Sequence, residues 1–159
     1  MRFPFYVWDK QYFLQIENGS GKGSLSLSGD RAIFTVRPES TVIQRDGYVK
    51  EWYRDILKVE IARILPKWEE LTGVSSDSWQ IKNMTTRWGT CSIDKRKLWF
   101  NLQLAKKTPE CLEYIILHEL LHLIEKNHTE RFVLLMDKYM PYWREVKRKL
   151  NEQTLDYME

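Results

Sequence analysis

The apolar positions of this chain change period twice along its length. Up to about residue 46 they come in short runs rich in β-branched and aromatic residues, "QYFLQIEN" at 11–18 and "RAIFTVRP" at 31–38, a pattern that predicts strands. "NGSGKGS" between them supplies Gly19, Gly21 and Gly23 and reads as a flexible connection. It lacks the GKS or GKT ending and the following helix of a phosphate loop. From about Gly47 the period becomes helical: Trp52, Ile56, Val59, Ile61, Ile64, Leu65, Trp68 and Leu71 recur at threes and fours, predicting a long amphipathic helix that stops at Gly73. Pro66 should kink or divide it.

"SWQIKNM", "RWGTCSI" and "KLWFNLQL" then read as three strands, the last two joined as a hairpin around "DKRK". Thr108 and Pro109 open a helix as cap and first residue. In "CLEYIILHELLHLIE" nearly every position on that helix is apolar, so it should be buried. Lys126-Asn127 should end it, with asparagine in the left-handed cap conformation. A further helix runs from the cap Thr129 to about Tyr139, Pro141 restarts another through "PYWREVKRKLNEQ", and the tail after Gln153 frays. The expected class is α+β in a single domain over 1–159, with N-terminal strands at 1–46 and a helical part at 47–153.

Seven tryptophans and 43% hydrophobic residues suffice for a core and exclude a disordered chain. Cys91 and Cys111, twenty positions apart, form no CxxC pair, so a reducing compartment is expected. The start, "MRFPFYVWDK", is too short an apolar run for a signal segment, and no run approaches a membrane span. These features predict a soluble, cytoplasmic protein without a membrane partner. The net charge of +3 is uneven. Residues 82–107 hold seven basic residues against Asp94 alone, which reads as a solvated hairpin or as a footprint for nucleic acid.

All three histidines fall between 118 and 128. His118 and His122, four apart on a helix, project from one face and can reach a single cation. Glu119 points about a quarter-turn away, which suits a base better than a third ligand. This is H-E-x-x-H. On a buried helix each unsatisfied polar group costs about 1–3 kcal/mol, and a metal removes that cost. The third donor is His128 or a carboxylate, Glu125 or Glu130; three neutral imidazoles leave the ion its full charge, which favours His128. Zinc is the default ion, one per chain, although iron, cobalt or nickel could take the same ligands.

The expected reaction is hydrolysis of a polypeptide, a metal-activated water attacking the peptide carbonyl with Glu119 as general base. Arg87, Tyr114, Tyr139 and Tyr142 are candidates to stabilise the oxyanion. In "RWGTCS", Trp88 reads as core, Gly89 as a close backbone approach and Cys91 as a small buried hydrophobe. Alternatively that strand lines the cleft, with Arg87, Trp88 and Gly89 contacting substrate. A competing reading has a structural metal and a nucleic-acid partner on the basic segment 82–107. It leaves Glu119 idle, and structural zinc sites favour cysteine.

"TRWGTCS" at 86–92, "FNLQL" at 100–104, "HELLHLIEKNH" at 118–128 and "MPYWREVKRKL" at 140–150 together resemble the YgjP-like family of metal-dependent hydrolases, a small zincin group, over roughly residues 48–150. The resemblance implies a zincin-like fold, a small antiparallel or mixed sheet packed on an HExxH helix with flanking helices. It also implies an edge strand alongside an extended substrate, His118, His122 and His128 as ligands, and Glu119 as the catalytic residue. Metzincins share the histidine spacing, but their glycine is replaced here by Glu125 and Met140-Pro141 sits at a helix junction. The Spartan and SprT-like DNA-associated proteases are similar only in HExxH and general layout.

Overall fold

The computed structural model describes residues 3–152. Four strands, β1 (Phe3–Val7), β2 (Lys10–Asn18), β3 (Ser24–Ser28) and β4 (Arg31–Val36), form a sheet in the order β1-β2-β4-β3. The outer pairs are antiparallel, while β2 and β4 run parallel. Two of these strands are missing from the sequence-based expectation, and the glycine run leads into β3 rather than bridging directly to β4. "SLSLS" carries only alternation as a strand signal, without β-branched residues. Pro4 argues against a central strand, and β1 is indeed an outer one.

Alternation buries Phe5, Val7, Tyr12, Ala32, Phe34 and Val36 on one face of this sheet. The turn between β1 and β2 holds Trp8 and Asp9 at φ of 50° and 65°, the left-handed geometry of a two-residue hairpin. Their N–H groups donate to the carbonyls of Ala105 and Lys106 at 2.8 and 2.9 Å. These bonds tie the first sheet to the segment just before the HExxH helix.

Helix α1 (Val42–Thr72) starts earlier than its apolar period suggests, because Thr41 and Gln44 form a reciprocal capping box. It runs unbroken through Pro66. Pro66 and Ala62, whose carbonyl a proline cannot pair, both face solvent. Tyr53, Leu57, Ile61, Ile64, Leu65 and Trp68 make the buried face, whereas Val59 and Leu71 are exposed. Gly73 ends the helix at φ 75°.

The second sheet has β5 (Ser78–Lys82), β6 (Gly89–Ser92) and β7 (Lys97–Asn101) in the order β5-β7-β6, with β5 parallel and β6 antiparallel to β7. Thus β6 is an edge strand. A 3-10 turn (Leu102–Lys106) leads into α2 (Pro109–Leu121), followed by α3 (Glu130–Tyr139) and α4 (Trp143–Glu152). One cluster of buried side chains runs from Phe5 to Leu150. It includes Leu112, Ile116, Leu117, Leu120 and Leu121 of α2, all fully buried.

Three details differ from the sequence expectation. Thr108 precedes α2, but its hydroxyl lies 3.2 Å from Cys111 Sγ and makes no cap bond. Helix α2 ends at Leu121, and Asn127 is not left-handed. The carbonyls of Leu120 and Leu121 instead close tight turns to Leu123, Ile124 and Glu125. Pro141 sits in the turn before α4, and the end of the expected helix at Gln153 lies outside the described residues, as does the tail. No helix among the described residues is long and apolar enough to cross a membrane. Both cysteines are free thiols.

Candidate metal centre

The end of α2 and the turn before α3 bring His118, His122 and His128 together, with one nitrogen from each within 4.8 Å of the others. The early end of α2 makes this convergence. Once the chain leaves the helix at His122, the Nδ1 of that ring meets the carbonyl of Glu125 at 3.2 Å. A carbonyl only accepts, so Nδ1 carries the hydrogen and Nε2 keeps its lone pair. His118 follows the same logic, its Nδ1 lying 3.3 Å from Oε2 of Glu119. His128 Nε2 is 3.0 Å from His122 Nε2. Two neutral imidazoles facing each other through their lone pairs repel unless a proton or cation lies between them.

Burial holds His122 below its ordinary pKa, opposed by the charge of Glu119. Burial, then the charges of His118 and His122, lowers His128 as well. Both are therefore neutral near pH 7, the form that binds metals. The donor set, its orientation and its protonation fit a divalent transition ion. Glu125 is drawn elsewhere, with its carboxylate 3.7 Å from Arg131. Glu130 lies in the first turn of α3, and neither glutamate joins the cluster.

Behind the three rings stands Phe132, a residue that the sequence reading passes over. Its ring centroid lies 5.1, 4.6 and 5.0 Å from those of His118, His122 and His128. Thr129 caps α3 by accepting from Phe132 N–H at 3.3 Å, which fixes the backbone between His128 and Phe132. Tyr114 lies 5.6 Å from the His118 ring and stacks on Trp143 of α4. It is buried, and burial together with the charge of Glu119 raises its phenol pKa. Of these aromatics the sequence singles out only Tyr114, as an oxyanion candidate, and nothing in it marks Phe132.

Glu119 is 5% exposed. It opens onto a cleft of about 350 Å³ bounded by the histidines and by Gly89, Thr90 and Cys91 of β6. Burial, with Glu119 adding to it, pushes the Cys91 thiol up to about 11. Arg87 also lines the cleft, whereas Trp88 does not. Trp88 packs against the core, with Lys107 Nζ 5.8 Å from its ring. Tyr139 is likewise packed against the core and Tyr142 is exposed, both away from the cleft lining.

Asn101 holds the segment before β6. It is fully buried; its Nδ2 donates to the carbonyls of Arg87 and Met84 at 2.7 and 3.0 Å, and its Oδ1 accepts from Gln103 N–H at 3.0 Å. The only sequence signal for this role was a polar residue closing an apolar strand.

The basic segment is mostly engaged with its own neighbours. Arg96 donates to the Ser75 carbonyl, and Lys97 donates to Gln80 at 2.6 Å and covers the Trp99 ring. Lys106 lies over Tyr53 and Lys107 over Trp88.

A family model of the YgjP-like metallopeptidase domain matches residues 2–153. The chain belongs to that family. The match takes in the N-terminal sheet, beyond the span over which the four motifs carry the resemblance. The YgjP-like fold is similar to the crystal structure of the metallopeptidase zymogen abylysin of Pyrococcus abyssi, at 16% identity and a TM-score of 0.54 over 60% of this chain and 99% of that one. It is also similar to the metallopeptidase zymogen jannalysin of Methanocaldococcus jannaschii, at 26% identity and a TM-score of 0.52 over 58% and 94%. No curated protein matches the sequence. Family and fold together make this YgjP-like chain a metal-dependent peptidase with a zincin-like α+β architecture.

Proposed function

We propose that this YgjP-like protein is a zinc-dependent peptidase in which His118, His122 and His128 hold the ion and Glu119 is the general base. The observation that carries the reading is the convergence of three imidazole nitrogens within 4.8 Å beside a buried carboxylate. A bound zinc supplies Lewis-acid chemistry, bringing the pKa of water down from about 15.7 to about 7 and polarising a carbonyl. Glu119 takes a proton from the attacking water and returns it to the leaving amine nitrogen. Its burial strengthens that exchange by excluding bulk water.

Gly89, Thr90 and Cys91 present an edge strand to an extended substrate. Gly89 has no side chain, so β6 packs directly on Ile115 and Glu119 and the carboxylate lies beside the strand along which the substrate would run. Arg87 is the one oxyanion candidate that lines the cleft. Tyr114 is better described as packing behind His118. The test is cleavage of unfolded casein by the zinc-loaded chain. Activity that disappears in Glu119→Gln while zinc is retained supports the reading; equal activity in that variant overturns it.

A further inference from the structure

We propose, building on the peptidase reading, that the cleft selects polypeptides with a carboxylate beside the scissile bond, and that Arg87 and Lys126 read it. Both residues line the cleft with Glu119. Among the described residues, Arg87 is the one arginine whose guanidinium has no hydrogen-bonding or ionic partner. Arg31, Arg37, Arg45 and Arg54 donate to amide, carbonyl or hydroxyl oxygens. Arg63, Arg96, Arg131, Arg144 and Arg148 pair with carboxylates. A chain that satisfies every other described arginine leaves this one free at the cleft.

The base of Arg87 is not free. Its carbonyl is held at 2.7 Å by the fully buried Asn101, and two residues later Gly89 lies against Glu119. A planar donor fork on a fixed backbone is suited to bidentate recognition of a carboxylate. Lys126, in the turn after α2, adds a second charge of the same sign. Among the described residues, Glu119 is the only acidic one lining the cleft, and the nearby Glu125 is turned to Arg131. The recognition charge is therefore positive, attracting acidic substrates and disfavouring basic ones.

The carboxylate could belong to an acidic side chain or to the end of the substrate chain, and the test separates them. Quenched fluorescent peptides differing only by glutamate or glutamine beside the cleaved bond are prepared with free and with amidated C-termini, then offered to the zinc-loaded full chain. For amidated peptides, glutamate should raise kcat/KM about tenfold over glutamine, with the ratio shrinking as salt rises. Arg87→Gln should bring the ratio close to one, Arg87→Lys should keep part of it, and Lys126→Gln should reduce it. A preference confined to free C-termini supports the same cationic site and assigns it to the chain end. As a reading independent of turnover, Glu119→Gln should bind the glutamate peptide about tenfold more tightly than the glutamine peptide by fluorescence anisotropy. Cleavage of all peptides at equal rates overturns the carboxylate proposal and leaves the peptidase reading intact. Cleavage of none overturns the peptidase reading and this proposal with it.

Discussion

Gly89 and Glu119 compete for the same space. A β-carbon on Gly89 would lie 3.1 Å from Oε2 of Glu119 and 2.7 Å from Cγ2 of Ile115. Ile115 is β-branched and sits on a helix, so it has little rotamer freedom with which to yield. The carboxylate keeps its position because the edge strand opposite it has no side chain there.

Gly89→Ala should therefore displace Glu119 rather than unfold the protein. The overpacking costs about 1–3 kcal/mol, while a carboxylate misplaced by a fraction of a side chain lowers turnover by about a hundredfold. Zinc should be retained, since the atoms the β-carbon meets belong to Ile115 and Glu119 and only the contact of His118 Nδ1 with Oε2 is disturbed. Steady-state kinetics with parallel metal analysis check this. Loss of zinc in this variant would show that Gly89 supports the histidines instead.

Phe132 backs all three imidazoles and is 3% exposed. Phe132→Ala should cost about 3–5 kcal/mol in denaturant unfolding and weaken zinc retention about tenfold, because the rings lose the wall that orients them. Phe132→Leu should recover most of both. Chelator competition on the two variants measures the second effect. Unchanged zinc affinity in Phe132→Ala would show that the ring is ordinary core.

Cys91 lines the cleft but should be chemically quiet. With its thiol raised from 9.0 to about 11, the protonated form persists through neutral pH. The thiolate fraction is then about a hundredfold below that of an unperturbed cysteine. Iodoacetamide labelling of the chelator-treated protein, mapped by mass spectrometry, should remain slow at pH 8 and accelerate only as pH approaches the raised value. Rapid labelling at pH 7 would contradict this environment.

Much of the centre was legible in the sequence because its chemistry is local. The spacing of His118, Glu119 and His122 forces two donors and a carboxylate onto one turn of helix, and an apolar helix around them demands a partner. Charge grounds favour His128, but the apolar pattern puts the end of the helix too late and so misplaces the turn that delivers it. Helix α2 ends at Leu121 through short carbonyl bonds, not at Asn127 through a left-handed cap.

What the sequence concealed was contact across distance. Gly89 meets Glu119 thirty residues away, Phe132 covers rings from two segments, and Asn101 anchors a loop that precedes it. No periodicity reports such pairings. The first sheet was half visible for a different reason: β2 and β4 carry β-branched and aromatic residues, whereas β1 contains Pro4 and β3 is only serine and leucine.

The most direct measurement is metal content by mass spectrometry on the wild-type chain and on His118→Ala, His122→Ala, His128→Ala and Glu119→Gln separately. The account predicts about one zinc per chain in the wild type, its loss in each histidine variant and its retention in Glu119→Gln. Zinc that survives His128→Ala, or a wild-type protein that takes up none, would contradict the three-histidine centre.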